Sequence, residues 1–119
     1  MKAKDLDFLT DLVRRFCEDR EWDQFHNPKD LAIGLITEAS ELLEHFRFAN
    51  ESQAKSKLFN DSDREMVSDE IADIFFFLLR FCQMNQIDIG EALISKIEKN
   101  ALKYPIEKAR GSNKKYTEL

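Results

Sequence analysis

The stretch MVSDEIADIFFFLLRF, residues 66–81, decides how this chain folds. Its apolar residues recur at helical rather than alternating spacing, yet Asp69, Glu70 and Asp73 stand inside it. At about 100° per residue, Met66, Val67, Ile74, Phe77 and Phe81 fall within about 60° of Glu70. Asp73 lies close to Met66, Phe77 and Met84 on the same wheel, and Glu65, Asp69, Arg80 and Gln83 make up the polar sector. A helix that is apolar nearly all round is buried nearly all round, so Glu70 and Asp73 are expected against apolar surface. Ionised carboxylates in such a place are costly unless paired.

Upstream, GLITEASELLEHFRF, residues 34–48, places Glu38, Glu41 and Glu44 at three-residue steps. Taken alone, this helix is explained by a solvated acidic face. Ala32, Leu35, Ala39, Leu42, Leu43 and Phe46 form the apolar stripe, and Glu41 can point away from it. The later segment changes the reading. Glu38 and Glu41, like Glu70 and Asp73, are spaced i,i+3, so each pair shares one helix face. A single Arg or Lys could partner one acid, but four acids from two neighbouring helices call for a divalent cation. Oxygen donors without His or Cys favour Mg²⁺, with Mn²⁺ as the alternative. A di-iron site needs Glu-x-x-His on two helices. The positions three after Glu38, Glu41, Glu44 and Glu70 hold Glu41, Glu44, Arg47 and Asp73, so di-iron is not expected.

Only three Gly and two Pro interrupt the 119 residues, which leaves long helical segments. Four helices are expected. The first covers 3–20, with Leu6, Leu9, Val13, Phe16 and Cys17 on one face. The second covers 28–48, opened by an Asn27 cap and Pro28. The third covers 63–85, opened by a Ser62/Glu65 capping box. The fourth starts at Asp88 and Glu91 and runs to about Tyr104, where Pro105 ends it. EWDQFHNP (21–28) reads as a loop dense in aromatic and polar side chains, and 49–61 as a polar connector. The tail, 105–119, is basic and expected to lack regular structure. The predicted fold class is all-α: a four-helix antiparallel bundle in a single domain over 1–119.

A net charge of −5 argues against a nucleic-acid polymer as partner. No run of about 18 apolar residues exists to span a membrane, and MKAKDLDFLTDL is no signal peptide. Cys17 and Cys82 form no CxxC and read as structural thiols of a cytoplasmic protein.

Glu38-x-x-Glu41 followed by Glu70-x-x-Asp73 resembles the acidic signature of the MazG-like all-α nucleoside triphosphate pyrophosphohydrolases. The segments EWDQFHNPKDLAIGLITEASELLEHFRF, DEIADIFFFLLRF and KNALKYPIEKARGSNKKYTEL look like the dCTP pyrophosphatase branch. The resemblance covers roughly residues 20–119. It implies Mg²⁺-dependent cleavage between the α- and β-phosphates, a part in nucleotide-pool sanitation, and a tetramer built as a dimer of dimers. It implies that Glu38, Glu41, Glu70 and Asp73 bind metal and that His26, Lys96, Asn100 and Tyr104 line the nucleotide site. Phe48 stands where close relatives carry Trp, and Phe77 where they carry Tyr. Both keep an aromatic face and lose a polar atom.

The residues themselves allow these roles, and equally allow a solvated face for Lys96, Asn100 and Tyr104, a loop or capping role for His26, packing for Phe48 and a solvated cationic tail. Lys96, Asn100 and Tyr104 lie at i, i+4 and i+8, one polar stripe of the fourth helix. Phe48 falls about 20° from Glu41 on the wheel, among acids rather than core residues. Glu41 is the expected water-activating carboxylate, with Glu38 close behind. Arg110, Lys114 and Lys115 of the tail are expected over the triphosphate, in the same chain or a neighbouring subunit. The competing expectations are a sister enzyme acting on dUTP or phosphoribosyl-ATP, and a non-catalytic helical module whose acids hold a structural cation.

Overall fold

The computed structural model describes residues 4–119. All regular structure among them is helical: α1 (Leu6–Asp19), α2 (Pro28–Glu44), α3 (Glu51–Lys57), α4 (Asp61–Met84), α5 (Ile89–Lys103) and α6 (Ile106–Ala109), with 3-10 turns at Asp23–Phe25 and Tyr116–Glu118. The chain divides into two compact units, Met1–Gln86 and Ile87–Leu119. No described helix is long and apolar enough to cross a membrane.

The helix starts follow from side-chain caps. Asn27 Oδ1 accepts the Asp30 N–H at 2.9 Å, with Pro28 at the first helical position. Asp88 Oδ1 accepts the Glu91 N–H at 2.9 Å. Two expectations are corrected. The long helix α4 opens at Asn60, whose Oδ1 accepts the Asp63 N–H, and not at a Ser62/Glu65 box. The segment 49–61 is not a plain connector. Asn50 and Gln53 form a reciprocal capping box, with bonds of 2.8 and 2.9 Å, and it starts α3. Amide side chains do here what Ser and Glu usually do.

In the first unit α2 packs along α4, and α1 packs against α4 as well. Gly34 of α2 meets Phe77, whereas His45 near its end meets Glu70, so α2 and α4 run antiparallel. A Cβ on Gly34 would stand 2.7 Å from Phe77 Cζ, so a glycine is needed for the ring to lie on the α2 backbone. The core is Cys17, Leu31, Val67 and Leu79.

The inward face of α2 differs from the expected stripe. Leu31 is buried, and Gly34, Leu35, Glu38, Leu42 and His45 are half-buried beside it. Ala32, Ala39 and Leu43 are exposed instead. Glu38, seven residues after Leu31, is therefore part of the packed face of α2, so the solvated-face reading fails at Glu38 while Glu41 and Glu44 are exposed as it requires.

The second unit comprises α5 and the tail, so the first unit alone is not a bundle of four long helices. The tail is ordered into α6 and a 3-10 turn, against expectation. Tyr116 packs edge-on against Tyr104 with centroids 6.1 Å apart, and Lys103 Nζ lies 4.8 Å from the Tyr116 ring. These contacts pull the tail back onto the end of α5.

Candidate functional site

Glu38 and Glu41 from α2 and Glu70 from α4 each bring an oxygen within 4.8 Å of the others. The antiparallel packing of two helices places three like charges together, a costly arrangement without a counter-charge. Glu38 Oε2 and Glu70 Oε2 are buried and have no hydrogen-bond partner among the described residues. Burial, with the adjacent carboxylate of Glu41 and the charge of Asp73, pushes the Glu38 carboxyl from 4.5 up to about 7. Burial, followed by the adjacent Glu41 carboxylate, raises Glu70 as well. Two orphaned oxygens among hard donors are what a divalent cation would satisfy, so the residues fit one.

His45 was missed from sequence. Its Nε2 stands 3.8 Å from Glu70 Oε1, and its charge, after the contact with Glu38, offsets part of the rise of Glu70. The i+4 spacing from Glu41 was the available signal, which the i,i+3 Glu-x-x-His pattern does not include.

Asp73 is exposed and lies outside the three-carboxylate cluster, although its charge acts on Glu38. Both acids line a cavity of about 540 Å³ whose other walls are Leu12, Val13, Phe16, Trp22, Phe76 and Phe77. The aromatic walls are held edge to face: Trp22 on Phe16 at 5.6 Å, Phe16 on Phe76 at 5.8 Å, Phe76 on Phe77 at 5.6 Å. Phe77 was expected here; Phe16, Trp22 and Phe76 were not.

A Schellman turn brings Trp22 to the cavity. Its N–H donates to Cys17 O at 3.0 Å, the Glu21 N–H donates to Glu18 O at 3.0 Å, and Glu21 takes a φ of 55°. The His26 ring then packs edge-on to Trp22, with centroids 6.1 Å apart.

Phe48 does not join this site. α2 ends at Glu44, so the wheel that set Phe48 beside Glu41 does not extend to it. Phe48 is 88% exposed, and its ring carries the Arg47 guanidinium at 4.9 Å. In the second unit Lys96 is exposed, Asn100 is half-buried, and Tyr104 caps α5 by donating its N–H to Asn100 O. Arg110, Lys114 and Lys115 are exposed in the tail. Arg80 reverses its expected place in the polar sector of α4: it is 1% exposed, among the most buried side chains described.

An all-α chain with a carboxylate cluster between antiparallel helices and an aromatic cavity beside it is the class that these observations define. The model of the MazG-like family matches residues 33–119. The chain belongs to the MazG-like family. It is 31% identical over 114 residues to dCTP pyrophosphatase 1 of Rattus norvegicus and to that of Homo sapiens, covering 96% of this chain and 67% of each relative. The crystal structure of a pyrophosphatase from Archaeoglobus fulgidus is similar at a TM-score of 0.79 and 34% identity, over 88% of this chain and 96% of that one.

Proposed function

We propose that the chain is a nucleoside triphosphate pyrophosphohydrolase that converts a deoxynucleoside triphosphate, dCTP or a modified cytosine nucleotide, and water to the monophosphate and pyrophosphate. The supporting observation is the set of three inter-helix carboxylates with two orphaned oxygens at the edge of an aromatic cavity. Kinship with dCTP pyrophosphatases supports the choice of nucleotide.

In this reading Glu38, Glu41 and Glu70 hold Mg²⁺, or Mn²⁺, and Asp73 adds a fourth carboxylate from the cavity wall. The bound cation supplies the positive charge that lets an acidic site accept a polyphosphate. Phe77, Trp22 and Phe16 offer the base an apolar, aromatic wall. Glu41 is the exposed member of the cluster, so it is the carboxylate that bulk water can reach. Glu41 takes the proton of the attacking water as its oxygen bonds to phosphorus and the anhydride bond breaks toward pyrophosphate. Glu38 is the alternative base. His26 contacts the nucleotide. In the second unit, Lys96, Asn100 and Tyr104, together with Arg110, Lys114 and Lys115, are further nucleotide-binding candidates; Phe48, in the first unit and outside the cavity, is a second candidate surface for the base. A homotetramer is the proposed assembly. The exposed apolar residues Ile33, Ile36 and Leu43, on the face of α2 away from α4, support self-association.

Incubation with a panel of triphosphates and analysis of the phosphate products tests this reading. Pyrophosphate release that is fastest with dCTP or its 5-substituted forms is expected. Turnover confined to dUTP or phosphoribosyl-ATP would reassign the substrate. No turnover of any nucleotide would leave a helical module with a structural cation.

A further inference from the structure

Arg80 is a full positive charge in the interior of the first unit, and every nitrogen of its guanidinium is used. Nε donates to His26 Nδ1 at 2.8 Å. Nη1 donates to Gln83 Oε1 at 2.7 Å, and Nη2 pairs with Asp23. Gln83 is held in turn, since its Nε2 donates to the Thr10 carbonyl of α1 at 2.9 Å. The fork therefore ties α4 to α1 and to the loop that carries Trp22 and His26. A chain that needed only to pack α4 against α1 would place an apolar side chain here, because a buried charge must be fully paired to be tolerated.

The consequence falls on His26. Arg stays protonated at any pH at which the protein is folded. An Nδ1 that accepts from Arg80 Nε cannot itself carry a proton, so the proton of the neutral ring sits on Nε2. Protonating Nδ1 would set two donors, both positively charged, face to face at 2.8 Å. The groups facing the ring from its surroundings are Arg80 of α4 and Asp23 of the loop, with the buried Cys17 thiol of α1 near both. Burial and Arg80 lower the His26 pKa below its usual 6.5, against the smaller opposing effect of Asp23. Nε2–H meets no acceptor among the described residues.

We infer that Arg80 is a positioning residue, which locks His26 as the neutral Nε2–H tautomer so that it offers the nucleotide one hydrogen-bond donor and no charge. The part concerning the nucleotide rests on the function proposed above; the part concerning the tautomer does not. A donor-only histidine selects an acceptor, such as a base carbonyl or an unprotonated ring nitrogen, and rejects an amino group at the same place.

Long-range ¹H–¹⁵N correlation of the histidine side chains tests the inference, with His45 assigned through His45→Gln. In the wild type, His26 is expected to show an unprotonated Nδ1 and a protonated Nε2, and to titrate below an ordinary histidine. Arg80→Met keeps the bulk and removes the donors. It is expected to give a mixed tautomer and a higher midpoint. It should also raise KM for the nucleotide about three- to tenfold, the worth of one hydrogen bond, with kcat changed far less. A wild-type His26 protonated on Nδ1, or titrating as a free histidine does, overturns the inference. So does an Arg80→Met protein whose His26 spectrum and KM match the wild type. If Arg80→Met does not fold, the wild-type spectrum decides alone. If the wild type hydrolyses no nucleotide, the spectrum still decides on the tautomer, and only the proposed function falls.

Discussion

Glu38 makes the clearest residue-scale prediction, because its folded pKa, about 7, lies above the ordinary 4.5. Below pH 4.5 folded and unfolded chains both hold this proton, and the group has no effect on the pH dependence. As pH rises from 4.5 through 7, the unfolded chain releases the proton first, so unfolding is increasingly favoured. In EDTA the melting temperature should therefore fall across this window and level off above it. Glu38→Gln should melt higher than wild type at pH 8 and lose that advantage near pH 4.5. Calorimetry at a series of pH values checks this; a wild-type curve flat from pH 4.5 to 7.5 would mean that Glu38 is already compensated. Mg²⁺ binding only the folded site should restore the lost stability, as any ligand of the native state does. Activity should respond differently from stability at Glu41. Glu41→Gln should lower kcat by about 10²–10⁴-fold, the range for losing a general base, while the helical circular dichroism persists. A rate within a few-fold of wild type would move the base to Glu38.

At the scale of elements, the turn between α1 and the 3-10 turn stores strain. Glu21 closes a Schellman motif in the left-handed region, which glycine adopts without the Cβ clash. Glu21→Gly should stabilise the fold by about 0.5–1 kcal/mol, less than the full clash because the unfolded chain also gains freedom. Urea unfolding measures it, and a destabilised variant would show that the Glu21 side chain has a role that the turn does not explain. This turn also illustrates what the sequence did and did not disclose. The caps at Asn27 and Asp88 were legible because each uses a local side chain whose chemistry has one favoured use. The start of α4 was read two residues late because Ser62/Glu65 and Asn60 offer rival caps, and only geometry chooses. α3 was hidden because its box is built from Asn and Gln on a short, polar helix. The i,i+3 spacing brought out Glu38, Glu41 and Glu70, but it also paired Asp73 with Glu70, and Asp73 is exposed outside the cluster rather than buried against apolar surface. The cluster's neighbour His45 was not legible, and nor was the burial of Arg80. A helical wheel treats arginine as polar and cannot see that Asp23, His26 and Gln83 converge on it from a loop and from its own helix.

At the scale of the whole molecule, the described chain buries little. Four apolar residues form the core, while Ile36, Leu43 and Ile71 stay more than half exposed. Such faces call for cover, and a second copy of the chain is the proposed one. Light scattering coupled to gel filtration should give a tetramer. Ile36→Glu should yield a smaller species, whereas an unaltered mass would remove this face of α2 from the interface. The central claim is that Glu38, Glu41 and Glu70 hold the divalent cation on which hydrolysis depends. Its most direct test is the initial rate of pyrophosphate release from dCTP as Mg²⁺ is titrated into metal-free protein at pH 8. The predicted result is a saturating rise from a negligible rate in EDTA, absent at every Mg²⁺ concentration in Glu70→Gln. Turnover that persists in EDTA, or a Glu70→Gln enzyme that follows the wild-type curve, would contradict it.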